Sequence, residues 1–255
     1  MTLKSYADGE GGVKVSEALK KAPLLAAAAP ATAAEPQGTH PFGVRDMLAM
    51  DRISDPEVSP DGSSILFNVR VTEEPSTLTA QALAAYDLLV LDYNGPRWSA
   101  ATEQAVEAFV RSGKGLVAVH GASYAFGNME ILADRHVRTG KREAPWPEYA
   151  RMVGASWSDD PPKSGHAPRH IFTVTAAHAE HPILRGLGGS QFQVSDELYH
   201  SLRTQPNIHV IASAFDDPAI GGTGKNEPIL WTLDYGKGRV FHTALGHDVS
   251  AMQEP

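Results

Sequence analysis

The chain of 255 residues carries 22 Lys plus Arg against 30 Asp plus Glu, a formal net charge of -8, and no cysteine. That balance opposes a broad nucleic-acid or anionic-membrane surface, and the missing thiol excludes disulfides, thiolate metal sites and cysteine nucleophiles. With 42% hydrophobic residues it can bury one large core or two small ones, and no apolar run approaches the ~20 residues of a membrane-spanning helix.

Residues 1–39 read as a leader, poor in strand formers, with glycine at 9, 11 and 12 and an alanine-rich stretch from Ala22 to Ala34. Lys20 and Lys21 ahead of A-P-L-L-A-A-A-A-P-A-T-A-A resemble the basic region, apolar region and cleavage site of a secretory signal. The glycine-bearing stretch before them fits an expression scar equally well. The expected location is the cytoplasm, or outside it if the leader acts as a signal. Next, D-M-L-A-M-D-R-I-S-D-P-E-V-S-P-D-G and the alternating strand after it resemble the opening of prolyl oligopeptidase-family peptidases, which begins a β-propeller there. A blade needs ~40–45 residues and several blades must close, and S-P-D-G has no second copy. Residues 40–73 are therefore expected to add at most a helix and one strand, Ser64 to Val71.

From Glu74 the chain takes on βαβ character. P-S-T-L-T-A-Q-A-L-A-A-Y offers a hydroxyl cap before an apolar helical stripe, and Y-D-L-L-V-L-D-Y is the continuous apolar run of a buried parallel strand. After the N-G-P-R-W turn, Ser99 is placed to cap a helix from Ala100 to Arg111, with Ala105, Ala108 and Phe109 at helical spacing. G-K-G stops it, and G-L-V-A-V makes a second buried strand that delivers His120. A short helix from Trp146 to Val153 and a loop through G-H-A-P-R-H follow. Strands are then expected at His170 to Thr175, Ile208 to Ala214, Pro228 to Tyr235 and Arg239 to Leu245, the last two joined by a turn at Gly236 to Gly238. The expected fold is α/β with a mainly parallel central sheet, mixed at that last edge.

Ten of the eleven histidines lie between His120 and His247. Four motifs place them at predicted loop or strand ends: V-H-G-A, G-H-A-P-R-H, D-E-L-Y-H and F-H-T-A-L-G-H-D. Ligands of open parallel sheets bind beyond the carboxyl ends of the strands, which puts His120 first. Pro168 argues against a helical metal pair of His166 and His170, while Arg169 between them suits a carboxylate or hydroxyl ligand. Glu197 and His200, at i and i+3, share a face if their segment is helical. With His120 and His247 they allow a three-ligand His/His/Glu site with an open water position, or a Glu base beside a neutral imidazole, and Asp196 could orient that ring. The metal set is His120, Glu197, His200 and His247, with zinc the expected ion.

G-A-S-Y-A approximates a nucleophile elbow, so the catalytic set adds Ser123 and Asp248 to His120, Glu197 and His247. Substrate contacts are expected from His166, Arg169, Trp98 and Tyr199, and Trp146 and Trp157 also offer faces for a sugar ring. His178, His181 and His209 read as structural. G-G-T-G-K lacks the spacing and helix of a phosphate loop, so no nucleotide cofactor is expected.

The ordered series Y-D-L-L-V-L-D-Y-N-G-P-R-W, F-V-R-S-G-K-G-L-V-A-V-H-G-A, G-H-A-P-R-H, D-E-L-Y-H-S-L-R, D-D-P-A-I-G-G-T-G-K-N-E-P-I-L-W and Y-G-K-G-R-V-F-H-T-A-L-G-H-D resembles the ThuA-like, or trehalose-utilisation, family over about residues 74–252, in a domain expected to span 74–255. The resemblance implies a flavodoxin-like, class I glutamine-amidotransferase-like three-layer sandwich. It also implies a sugar-metabolism protein acting on disaccharides or their oxidised derivatives, sometimes with a divalent metal. V-H-G-A-S stands where an amidotransferase holds its cysteine, so thiolate glutaminase chemistry is excluded. The family's usual first βα unit is replaced by the peptidase-like segment, which makes the N-terminal unit atypical. The expected activity is metal-assisted or His/Glu acid–base chemistry, of hydrolase or lyase/isomerase type, on a sugar or a sugar-derived carbonyl or lactone. The alternatives are a Ser123-dependent esterase or lactonase and a non-catalytic carbohydrate-binding module. The expected partner is a small sugar or lactone, not nucleic acid or membrane, and a homo-oligomer is an open option.

Overall fold

The computed structural model describes residues 2–4, 70–126, 129–132, 135–138, 146–184 and 189–252. The expectations for residues 5–69, most of the leader and of the peptidase-like fragment, lie outside the described residues. Nine strands form one sheet: β1 (Thr2–Lys4), β2 (Val71–Thr72), β3 (Leu88–Asp92), β4 (Gly115–Val119), β5 (His170–Ala176), β6 (Gln191–Asp196), β7 (His209–Phe215), β8 (Asn226–Tyr235) and β9 (Gly238–Thr243). Their spatial order is β6-β5-β7-β8-β9-β4-β3-β1-β2. The helices are α1 (Ala80–Leu83), α2 (Ala100–Arg111), α3 (Pro147–Val153) and α4 (Val249–Met252). None is long and apolar enough to cross a membrane, among the described residues.

Local chemistry sets these boundaries. Ser99 Oγ accepts the Thr102 N–H at 3.2 Å and starts α2, as its sequence position foretells. Thr79 caps α1 in the same way, accepting from Ala82 at 3.1 Å. α3 opens on Pro147 and closes on Gly154 at φ 85°, where glycine carries no steric penalty.

The sheet is parallel in one half and antiparallel in the other, and the expectation of a mainly parallel sheet is corrected accordingly. β9, β4, β3, β1 and β2 run parallel, whereas β6, β5, β7, β8 and β9 pair antiparallel. Parallel neighbours need a crossover of a dozen or more residues, commonly a helix. β8 and β9 are joined by a tight turn, and among the described residues the β5–β6 and β7–β8 links hold only one 3-10 turn each, so these strands fold back on one another. At the other edge, Thr2–Lys4 supplies a strand between β2 and β3 that no pattern in the leader announced, three residues being too few for one.

α1 packs on α2, and α2 and α3 lie over one face of the sheet, α3 against β8 and β9. Leu83, Val106, Phe109, Val110, Met152 and Val153 pack there on Leu89, Leu91, Leu116 and Ala118 of the sheet. A second cluster, including Phe172, Val174, Val194, Ile211 and Ile229, fills the antiparallel half. Between them His242 on β9 is wholly buried and stacks on Trp231, its partner on β8, with ring centroids 4.2 Å apart and planes 7° from parallel.

Candidate functional site

β4 delivers His120 at its carboxyl end, in the first turn of a short 3-10 segment, His120–Ser123. The residue is 4% exposed and held at φ 39°, a left-handed conformation that costs a non-glycine residue about 1–3 kcal/mol. Its surroundings impose that conformation. Nδ1 lies 2.7 Å from the Ala244 carbonyl and must donate to it, which orients the ring and leaves Nε2 to face the cleft. Tyr199 packs over the ring at a centroid distance of 4.2 Å.

Nε2 of His120 faces two groups from elsewhere in the chain. Glu197, just past the end of β6, brings Oε2 to 3.6 Å. His247, in the loop beyond β9, brings Nδ1 to 3.3 Å from that nitrogen and 3.1 Å from Glu197 Oε2. His166 approaches the same carboxylate oxygen through Nε2 at 3.6 Å, its own Nδ1 donating to the Ala167 carbonyl at 2.9 Å. The ligand atoms of His120, Glu197 and His247 lie mutually within 4.8 Å.

Burial of Glu197 opposes its ionisation. The hydrogen bonds of His120 and His247 and the charge of His166 outweigh that and hold the carboxyl well below its usual value of 4.5. His247 moves the other way: its hydrogen bond to Glu197 raises its pKa above the usual 6.5, against partial burial, with help from the charges of Glu197, Asp196 and Asp248. His242, in the core, is pushed down to about 3 by desolvation, with repulsion from His120 second.

The cluster opens onto a cleft of about 530 Å³, counted with the solvent at its mouth, whose walls include Asp92, Asn94, Tyr199, Asp248 and Met252. Asp92 and Asn94 were missed in the sequence. They stand at and just beyond the carboxyl end of β3, the same criterion that singles out His120, but N-G-P-R-W reads first as a turn.

The other expected residues fall as follows. His200 stands outside the cluster. Its segment is extended, Tyr199 and His200 pairing with His166 and Gly165, so alternation sends Tyr199 toward His120 and His200 to the other side, with Nδ1 3.4 Å from Ser201 Oγ. The i, i+3 face expected for Glu197 and His200 does not form for that reason. Trp98 is 8% exposed in an aromatic core with Tyr93, Phe126 and Trp146, where no substrate face is left. Trp146 belongs to the same core, whereas Trp157 lies 5.2 Å from the Tyr199 ring and 6.3 Å from that of His166. Ser123 is 1% exposed and donates to the His120 carbonyl at 3.2 Å. Arg169 directs its guanidinium to Asp248 at 2.6 Å, the Ser195 carbonyl at 2.9 Å and Ser250 at 2.8 Å, tying β6 to the start of α4. Asp248 therefore pairs with an arginine at the rim.

An α/β protein whose mixed sheet gathers two imidazoles and a carboxylate at one polar cleft is the class that fold and site define. The chain belongs to the ThuA family, described as trehalose utilisation, whose model matches residues 49–255. The match begins inside the segment read as peptidase-like. A ThuA-like protein from Parabacteroides merdae is 28% identical, with 73% of each chain covered and a TM-score of 0.58. Another from Bacteroides uniformis is 19% identical over 76% of this chain and 74% of its own, at a TM-score of 0.53, a likeness of fold alone. No curated protein matches the chain. Family membership supports a carbohydrate-related function in general.

Proposed function

We propose that the cleft takes a sugar or a sugar-derived carbonyl or lactone, and that His120, Glu197 and His247 hold a divalent cation beside it, with zinc the best match. One observation carries this reading: the spacing of three donor atoms, 3.1, 3.3 and 3.6 Å. A tetrahedral ion with bonds of about 2.0–2.1 Å has corners about 3.3–3.4 Å apart. The Ala244 contact supports it too, because it occupies Nδ1 of His120 and leaves Nε2 to face the carboxylate, where a proton or a metal cation can lie between the two. When bound, such an ion supplies a Lewis acid for a substrate oxygen and acidifies water.

The protein's own groups have separate tasks. The Ala244 carbonyl fixes the His120 ring. Tyr199 walls the cluster from the core side, and Asp92 and Asn94 offer an acceptor and an amide to substrate hydroxyls across the cleft. His166, half out in solvent, is placed to exchange a proton at Nε2. A second reading, acid–base chemistry by His247 and Glu197 without metal, is favoured by their direct hydrogen bond at 3.1 Å.

Metal analysis of the purified protein, followed by turnover of sugar lactones with and without chelator, separates the readings. The expected result is retained zinc, chelator-sensitive turnover and full activity in Ser123→Ala. Chelator-insensitive turnover lost in Glu197→Gln contradicts the metal and favours the second reading, whereas sugar binding without turnover contradicts both.

A further inference from the structure

We infer that Asp196 is a positioning residue, a buried carboxylate that clamps together the two backbone segments bearing Glu197 and His247. The inference rests on the reading of the site above and concerns what holds its parts in place. Asp196 ends β6 and is 1% exposed. Its Oδ1 accepts the Glu197 N–H at 2.8 Å and the His247 N–H at 3.4 Å, and its Oδ2 accepts the Gly246 N–H at 2.7 Å. The carboxylate thus addresses backbone rather than the imidazole expected from its sequence position.

Sheet pairing cannot do this work. β6 and β9 are separated in the sheet by β5, β7 and β8, so no ladder joins the turn after β6 to the loop after β9. Arg169 forms an outer strap from Ser195 to Asp248 and Ser250, and Asp196 forms the inner one. Gly246 is shaped for that contact: its φ is +111°, and a Cβ there would stand 2.9 Å from Val119 Cγ1. The clamp requires a carboxylate. An amide has one acceptor oxygen, and its NH2 would face a backbone N–H.

Asp196→Asn tests this against Asp216→Asn. Asp216 is also fully buried and accepts a backbone N–H, that of Thr223, at 2.6 Å, in a loop outside the site. The readouts are crystal structures of the metal-free variants and cobalt(II) titrations followed by visible spectroscopy. In Asp196→Asn the Glu197–His247 contact is expected to open beyond hydrogen-bond reach, roughly 3.5 Å. Cobalt affinity is expected to fall about 10–100-fold, as when other supports of metal ligands are lost. Asp216→Asn is expected to leave both unchanged.

An Asp196→Asn structure that keeps the contact overturns the inference. If the contact opens but wild-type protein binds no cobalt, the clamp stands and the metal reading falls. Should Asp196→Asn not fold, NMR couplings across the hydrogen bonds, from the Glu197 and Gly246 amide nitrogens to the Asp196 carboxyl carbon, decide the matter in wild-type protein; their absence overturns the clamp.

Discussion

The two halves of the sheet are built by different rules. In the parallel half, continuous apolar strands lie under helices, and Leu89, Leu91, Leu116 and Ala118 reach the core. In the antiparallel half, β5 and β6 alternate buried and exposed positions, and Ile171 and Phe215 stay exposed. The parallel half ends in His120 and the antiparallel half in Asp196 and Glu197. β9 belongs to both, pairing parallel with β4 and antiparallel with β8 before running on to His247. A site drawn from both halves exists only while β9 holds them in register.

The harshest way to break that arrangement is to cut its seam. Trp231, fully buried beside His242, is expected to cost about 3–5 kcal/mol as Trp231→Ala in denaturant unfolding, with both halves melting together. Next, Leu116→Ala in the parallel half and Ile211→Ala in the antiparallel half are each expected to cost about 2–5 kcal/mol and to shift one common transition. Two resolved transitions would show the halves to be independent units.

Acid titration sharpens the contrast between cleft and core. Because the His247 pKa is raised, its stabilising share is complete below 6.5 and disappears as pH climbs through the raised value. The Glu197 pKa is depressed, so its share is complete above 4.5 and disappears as pH falls through the depressed value. Metal-free Glu197→Gln should therefore lose most relative to wild type between about pH 4.5 and 6.5 in thermal unfolding. His242 acts oppositely: the unfolded chain takes up its proton first, so stability declines from pH 6.5 toward 3, and His242→Phe should flatten that decline. The smallest effect is expected at the surface just before β3 and β4, where Lys114→Ala removes the ion pair with Asp87 and should cost at most about 1 kcal/mol.

Much of the parallel half was legible in the sequence. Its strands are uninterrupted apolar runs and Ser99 is an unambiguous cap, so β3, α2, β4 and the placement of His120 follow from local rules. β6 was not legible, because Q-F-Q-V-S-D mixes polar and apolar residues with a single buried side chain, Val194, before Asp196. The partnership of Glu197 with His200 depended on a helix that did not form. The grouping of Glu197 with His120 and His247 rests on their chemistry at predicted strand and loop ends, whereas the distances between them depend on strand order, which no local pattern encodes. His166 reached the carboxylate through a two-residue pairing with Tyr199, too short to read in advance.

The most direct test of the central claim is anomalous diffraction at the zinc edge from crystals grown with zinc. The account predicts a peak enclosed by His120 Nε2, Glu197 Oε2 and His247 Nδ1. A cluster that remains without a peak under zinc saturation, or a peak held by other residues, would contradict it.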